Sequence, residues 1–319
     1  MIYPPSEILT IIIVNRNTSG LLLDCLKHIY QSASPKVLEV IVVDNGSSDG
    51  SVSGVRSNFP EVRIIEAKCN LGFARANNLG FRSATGDFIL LVNTDAMLER
   101  DCVSEMVSFM EANPSVGMLG PQLLNRDGSR QTSYEATPTL LTELVGRGVL
   151  KILFPKRYPN RNLELSRPVE VETLIGAVIL IRRTAWETMG GFDEDYFFFF
   201  EETDLSFRMR KSGWLVCHDP AAKAVHLQGA TAKTYKAAPR IEYYRSRYAF
   251  FRKMYGRTSE LCLKMALTLN LTLNSVFLGM AALFALGQSR KLNEKFSQRL
   301  SLWLWHIKGF PSGAGLPRD

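Results

Sequence analysis

Leu38 to Gly50 reads LEVIVVDNGSSDG, an apolar, β-branched run that stops at Asp44 and turns through Asn, Gly and Ser. Apolar on both faces and too short for a buried helix, such a run predicts a central strand of a parallel sheet. A strand that ends in Asp and turns through Gly and Ser into a helix forms a ligand-binding edge in open α/β sheets. The same residues also suit an ordinary Asx-turn at Asp44, with Ser47 or Ser48 as the cap of the next helix. The turn has neither GxGxxG spacing nor a P-loop lysine, which excludes the dinucleotide and P-loop phosphate mechanisms.

On either side the pattern repeats. Ile8 to Val14 is another short β-branched strand, and Leu21, Leu22, Cys25, Leu26 and Ile29 follow at helical spacing. Val62 to Ile65 reads as a third strand. Asn70 to Asn78 then leads into a helix closed by Gly86, and Phe88 to Val92 is a fourth strand ending at Asn93-Thr94-Asp95. Strands alternating with helices at this spacing predict a right-handed, mostly parallel sheet with helices on its faces. Asn15, Asp44 and Asp95 would then converge on its carboxyl edge, where such sheets bind nucleotides. Asp95 has a second reading, as a cap for the helix that begins near Asp101.

Further along, Gly120-Pro121 and Asn125 to Gly128 mark turns, the second a hairpin tip. Thr137 to Leu165 is an irregular excursion that includes Lys151, Lys156, Arg157 and Arg161; segments of this length serve as lids or acceptor-binding loops, or as solvated surface. Val169 to Ile181 returns to strand, with Gly176 and Ala177 leaving room for close approach. Gly190 to Trp214, GGFDEDYFFFFEETDLSFRMRKSGW, crowds carboxylates against an aromatic run at the start of a helix with a basic end. That charge order suits the helix dipole. The aromatic wall desolvates the carboxylates and raises their pKa values toward the range of a general base, with Glu202 and Asp204 as candidates. Trp214 to Cys217 reads as a strand, His218-Asp219-Pro220 as a turn, and Ala224 to His226 as a last short strand.

Composition sets the outer bounds. The chain has 319 residues, 46% hydrophobic and 22% charged, and a net charge of +7, all ordinary for a folded protein of one large unit with an appendage. The excess of positive charge suits phosphorylated substrates or an anionic membrane surface, and no basic stripe interleaved with aromatics argues for nucleic acid. Five scattered cysteines outside CxxC spacing indicate neither a zinc site nor a disulfide frame. The N-terminal apolar run lacks a basic n-region and reads as a buried strand, so a reducing cytoplasm is expected.

Taken together, TIIIVNRN, VVDNGSSDGS, NLGFARANNLG, LLVNTDA and GGFDEDYFFFFEETDL resemble, in order and spacing, the motifs of family 2 glycosyltransferases, over about residues 8 to 256. The resemblance implies a GT-A fold and an inverting transferase that moves one sugar from a nucleoside diphosphate donor, dTDP-, UDP- or GDP-linked, to a hydroxyl of a glycan or lipid-diphosphate acceptor. It implies that Asp44 reads the base or ribose and that Arg75 and Asn77 line the nucleotide pocket. Asn15, Asn70, Gly72 and Asn93 stand in the same motifs and complete the implied donor site. Asp95 matches the last Asp of the DXD motif, which holds Mg²⁺ or Mn²⁺ on the diphosphate, and His226 matches a late His that binds the metal in some members. Asn93 departs from the first Asp of that motif, and Glu202 stands where the family has its catalytic Asp. Cell-envelope polysaccharide assembly, often rhamnosyl transfer, is the implied setting.

Residues 1–238 are expected to form the GT-A domain, with a donor half at about 8–119 and an acceptor half at about 120–238, and 239–319 a helical, membrane-associated region. Arg240 to Arg257 is basic and aromatic at helical spacing, suited either to solvent or to a membrane surface and a lipid diphosphate. Ala266 to Gln288 carries no charge over about the length needed to cross a bilayer core, yet its Asn and Thr residues favour a helix docked at the inner leaflet over a span. Trp303 and Trp305 fit an interfacial anchor. Gln298-Arg299 and Trp303 lack the QxxRW spacing of processive synthases, which points to single transfers. Two rival readings are a non-catalytic nucleotide-sugar-binding protein, which the Glu at 202 favours, and a sugar nucleotidyltransferase, whose Gly-rich phosphate loop VNRNTSG does not supply.

Overall fold

The structure, a computed structural model, describes residues 9–32, 37–155, 165–227, 238–284 and 290–318. Lys156, Arg157 and Arg161 of the basic excursion lie outside the described residues, as do 285–288 of the uncharged segment. The first half alternates as its sequence requires: β1 (Leu9–Asn15), α1 (Ser19–Gln31), β2 (Val37–Asn45), α2 (Ser51–Asn58), β3 (Arg63–Ala67), α3 (Phe73–Phe81) and β4 (Phe88–Asn93). The second half is more broken. It runs β5 (Ala96–Leu98), α4 (Cys102–Ala112), β6 (Val116–Leu124), β7 (Tyr134–Glu135), α5 (Leu140–Val145), α6 (Arg147–Leu153), β8 (Val169–Glu170), β9 (Thr173–Leu174), β10 (Val178–Arg182), α7 (Arg183–Met189), α8 (Glu201–Lys211) and β11 (Leu215–His226). Two long helices follow, α9 (Ala238–Phe284) and α10 (Arg290–Ile307).

The main sheet has the order β3-β2-β1-β4-β10-β6-β11-β5, with β8 beside β11. Pairings among β3, β2, β1 and β4 are parallel, whereas β10 enters antiparallel between β4 and β6. Ile11, Ile12 and Ile13 of β1 are all fully buried, because helices cover both faces. Each such side chain contributes about 1.5–3 kcal/mol relative to exposure. Parallel register then lines up Asn15 with Asp44 and Val14 with Asn93, which sets their polar ends along one edge.

Two turns expected from the sequence are instead strand. Gly120-Pro121 lies inside β6, and His218-Asp219-Pro220 lies inside β11. The two departures have one cause: the register between the strands shifts between Asp219 and Lys223, opposite Pro121, so that the missing proline N–H faces a bulge. Gly120 is needed there, since a Cβ would stand 2.7 Å from Leu174 Cδ2.

The C-terminal part is no separate solvated helix. Tyr248, Phe250 and Phe251 of α9 and Leu302 and Trp305 of α10 form a third core with Tyr196 and Phe200 of the aromatic run. Gly256, at φ 86°, breaks α9 into an aromatic half before it and an apolar half after it. The apolar half exposes Leu261, Met265, Leu269, Leu273, Val276, Phe277 and Met280 along one stripe. By length and composition α9 is apolar enough to cross a membrane. After α10 the chain folds back, held by Arg245 on the Pro311, Ser312 and Ala314 carbonyls, and reaches the sheet edge, where Asn70 Nδ2 donates to Pro317 O at 2.8 Å. Arg318 stacks on Phe197 and pairs at 2.6 Å with Glu242, a buried carboxylate that Arg245 also holds.

Candidate active site

At the carboxyl edge, Asn15 Nδ2 donates to Asp44 Oδ1 and to Ser47 Oγ, both at 3.1 Å, while Asp44 Oδ2 accepts from Ser47 N at 2.9 Å. Asp44 therefore makes the turn, and it stands on the carboxyl edge beside Asn15. Thr18 ties the end of β1 to that of β4, with its hydroxyl 2.7 Å from Asn15 Oδ1 and 3.0 Å from Thr94 Oγ1. Asn45, which sequence reading passed over, donates to Asn70 Oδ1 and Gly72 O and accepts from Leu71 N. The Asn70-Leu71-Gly72 loop is thereby fixed beside β2.

Gly72 has φ 80°, and a Cβ there would come within 2.4 Å of Phe197 O, the carbonyl that accepts from Phe73 N at 2.7 Å. The 70–72 loop and the aromatic run thus touch backbone to backbone. Gly72→Ala should therefore lower stability by roughly 2 kcal/mol through strain and forced separation. A denaturant melt that superimposes on wild type would refute that contact. Asn78, also passed over, reinforces it by bonding Phe192 through both its N–H and its C=O and donating to Glu194 Oε1 at 3.0 Å. Arg75 is exposed and lies 3.4 Å from Glu194 Oε2, whereas Asn77 is buried and bonds back to Phe73 O within its own helix.

Asp95 lies in the turn between β4 and β5, not at the helix start, where Asp101 is the residue before Cys102. Antiparallel pairing sets His226 opposite Ala96, and Leu227 N donates to Asp95 O at 2.9 Å. His226 Nε2 consequently faces Asp95 Oδ1 at 3.5 Å. Gln131 orients the ring. Its Nε2 donates to Asn125 Oδ1 and to the His226 carbonyl, so its Oε1, 3.1 Å from His226 Nδ1, accepts a hydrogen bond from that nitrogen. Nε2 is thus the ring nitrogen left facing the Asp95 carboxylate, and an imidazole nitrogen and a carboxylate oxygen set this close can share one cation.

Phe199 and Phe200 both adopt left-handed backbone, at φ 72° and 71°, which is costly for bulky residues. The surrounding rings hold them there: Phe200 packs against Tyr243 and Phe250, and Ser246 donates to Phe198 O at 2.8 Å. This strained turn delivers Glu201 and Glu202 to the start of α8. Burial pushes the Glu202 carboxyl up to about 7, aided by the nearby charge of Glu135, and its Oε2 is buried without a partner. Gly176 faces it, and a Cβ there would stand 3.5 Å from the carboxylate carbon, while the 176–177 turn is pinned to the end of β4 by the bond from Asn93 N to Ala177 O at 2.9 Å. Glu201 is buried deeper, and burial next to Glu202 raises its pKa well above the usual carboxylate range.

Asp204 is not brought to this place. It is fully buried, accepting from Arg208 Nε at 2.6 Å and lying 3.4 Å from Tyr196 Oη. Arg208 in turn holds the carbonyls of Met189 and Gly191, so the pair locks the Gly190–Gly191 turn against α8.

The sequence pattern of Glycosyl transferase family 2 matches residues 10–190. A curated relative, the N-acetylglucosaminyl-diphospho-decaprenol L-rhamnosyltransferase of Mycobacterium tuberculosis, is 30% identical over 235 residues, 68% of this chain and 76% of its own. The low-salt glycan biosynthesis hexosyltransferase of Haloferax volcanii is 25% identical, over 69% of this chain and 67% of its own. Among solved structures, the mannosyltransferase of Pyrobaculum calidifontis in complex with GDP-Man and Mn²⁺ superimposes with a TM-score of 0.54 at 17% identity, covering 97% of this chain and 89% of its own. That likeness speaks to the fold alone.

Proposed function

Because this chain belongs to glycosyl transferase family 2 and is a glycosyltransferase, we propose that it moves a single sugar from a nucleoside diphosphate donor to a hydroxyl of a lipid-diphosphate-linked glycan in cell-envelope assembly. The observation that carries the reading is Glu202, whose carboxylate has a buried, unpartnered oxygen and faces the 176–177 turn that is bonded to the end of β4. The 30% identical relative acts, by its name, on a lipid diphosphate and transfers rhamnose, which favours a rhamnosyl donor and the same acceptor class.

In this reading Asn15, Asp44, Asn70, Gly72 and Arg75 form the nucleotide side, and 1–238 is the catalytic unit on which 239–319 builds the membrane-facing part. Glu202 accepts the proton of the acceptor hydroxyl as its oxygen attacks the anomeric carbon from the side opposite the diphosphate, so the configuration inverts. General-base help of this kind contributes about 10²–10⁴-fold in rate. The aromatic run excludes water from that proton transfer, and the strained turn at Phe199–Phe200 fixes the carboxylate's position.

Asp95 and His226 fit a divalent cation: one hard oxygen donor and one imidazole nitrogen face each other, and Gln131 holds the ring as such sites require. No group of three or more such side chains occurs among the described residues, which suits Mg²⁺ or Mn²⁺ completed by diphosphate oxygens and water. Bound there, the cation would neutralise the charge that develops on the departing diphosphate. The exposed apolar stripe of α9 supports attachment to a membrane, in this reading at its cytoplasmic face, where such lipid acceptors would be met.

The test is transfer from dTDP-, UDP- and GDP-sugars to a lipid-diphosphate sugar, with Mg²⁺, Mn²⁺ or EDTA, across pH 5.5–8.5. Glu202 must be ionised to act. With its pKa near 7, kcat/KM should fall about tenfold per pH unit below 7 and level off above it. No transfer from any donor, or donor binding without turnover, would favour the non-catalytic binding protein.

A further inference from the structure

Pro239, Arg240, Tyr243 and Tyr244 at the start of α9 and Arg299 and Leu302 of α10 line a cleft of about 420 Å³ with Phe199 and Asn270. We propose that this cleft binds the diphosphate of the lipid-linked acceptor, an assignment that rests on the lipid-diphosphate reading above.

Three observations converge on it. The first is unmatched charge. Other cations of the aromatic half of α9 have acid partners: Arg245 with Glu242, Arg247 with Glu143, and Lys253 with Asp193 and Asp195. Among the described residues no carboxylate pairs with Arg240 or Arg299, although both act on the same Tyr244 phenol, whose pKa they lower against the larger effect of burial. Two guanidinium groups brought together from separate helices without an anion suit a doubly charged phosphate ligand, which they can bind by forks of parallel N–H donors.

The second observation is position. Tyr243 stands between cleft and catalytic carboxylate: it lines the cleft, packs on Phe199 and Phe200, and has its phenol pushed up to about 12 by burial, Glu135, Tyr244 and Glu202. An acceptor sugar whose hydroxyl reaches Glu202 would carry its diphosphate about one sugar ring away, and Tyr243 links that carboxylate to the cleft. Tyr243 then offers the intervening sugar a flat apolar face.

The third is continuity with the apolar stripe. Asn270 lines the cleft and is next in the chain to Leu269, which is 61% exposed along with Leu273 and Phe277 one and two turns on. The lipid tail of a diphosphate seated between Arg240 and Arg299 would leave along that stripe, into the bilayer that the stripe would itself contact. Sugar, diphosphate and tail thus meet base, cation pair and apolar face in the same order.

The test needs no turnover. Geranyl diphosphate, a short soluble isoprenyl diphosphate, is titrated by calorimetry into the wild type and into Arg240→Ala/Arg299→Ala. The wild type should bind it, inorganic pyrophosphate should compete, and the double variant should bind at least tenfold more weakly. The donor Kd and recovery on phosphatidylglycerol vesicles should stay unchanged. Arg240→Ala alone, an exposed change at a helix start, should lose several-fold and serves if the double variant melts early. Equal binding by wild type and variants, or no binding by the wild type, overturns the proposal. So does a loss seen only with phosphatidylglycerol vesicles, which would make the cleft a phospholipid headgroup site, or a parallel loss of donor affinity, which would give the arginines to the donor. A wild type that binds geranyl diphosphate through these arginines but never glycosylates a lipid acceptor would instead count against the transferase reading.

Discussion

Glu202→Gln should lower turnover by about 10² or more while the donor Kd stays within a factor of two, because it keeps the side chain's size and removes its basicity. The same change should not cost stability. In the folded state the carboxyl titrates near 7, above its unfolded value, so its contribution to stability is fully present below pH 4.5 and is lost as pH rises through 7. At pH 8 Gln removes up to about 3 kcal/mol of that destabilisation, and the variant should melt no lower than wild type. Asp204→Asn should do the reverse. It breaks a buried pair whose Arg208 also anchors two carbonyls, at a cost of about 3 kcal/mol, and it lowers turnover only as far as the Gly190–Gly191 turn loosens. Thermal melts and single-turnover rates on both variants separate the roles. A folded, inactive Asp204→Asn beside an active Glu202→Gln would move the base to Asp204.

Asp95→Asn should abolish the metal dependence of donor binding, with the donor Kd in Mn²⁺ or Mg²⁺ rising about 10²-fold to the value seen in EDTA. The carboxylate is the hard, charged donor of the pair; without it the imidazole is a weak site for such cations. The fold should survive, since the contact to Leu227 is made by the Asp95 carbonyl and persists in Asn. Gln131→Ala should reproduce a weaker form of the defect, about 10-fold, by freeing the His226 ring to change tautomer. Calorimetric titration of donor with and without metal reads both. Tight, metal-dependent binding by Asp95→Asn would remove the corner from the donor site.

The parts of this architecture written in local sequence were legible in advance. β-branched runs ending in Asp44 and Asn93 announced parallel strands and the edge they share, because strand propensity, burial on both faces and turn chemistry all lie within a dozen residues. The aromatic run likewise announced a desolvated carboxylate. What could not be read depends on partners far along the chain. Gln131 orients a histidine 95 residues away, and Asn78 bonds Phe192 across 114. Asp204 looked catalytic because acidic residues in a first helical turn are alike in sequence, and only the three-dimensional path of Gly190–Gly191 turns Arg208 onto it. Pro121 read as a breaker because the bulge that accommodates it lies in β11, nearly a hundred residues later. The aromatic half of α9 read as a solvated or membrane face, since nothing local says that Phe250 and Phe251 pack under a turn at Phe200.

The returning tail bears on how the protein should be handled at the bench. Anything fused after Asp319 follows directly on Arg318, which lies over Phe197, so a C-terminal affinity tag or fluorescent fusion would pull on the loop that Gly72 seats and, in the proposed reading, crowd the donor. An apparent lack of activity in such a fusion would say little about the enzyme. The amino end of β1 enters the sheet about 20 Å along the strand from Asn15, away from the carboxyl edge. A purification handle belongs on that side, and a cleavable C-terminal tag, assayed before and after removal, would double as a gauge of how closely the tail guards the donor pocket.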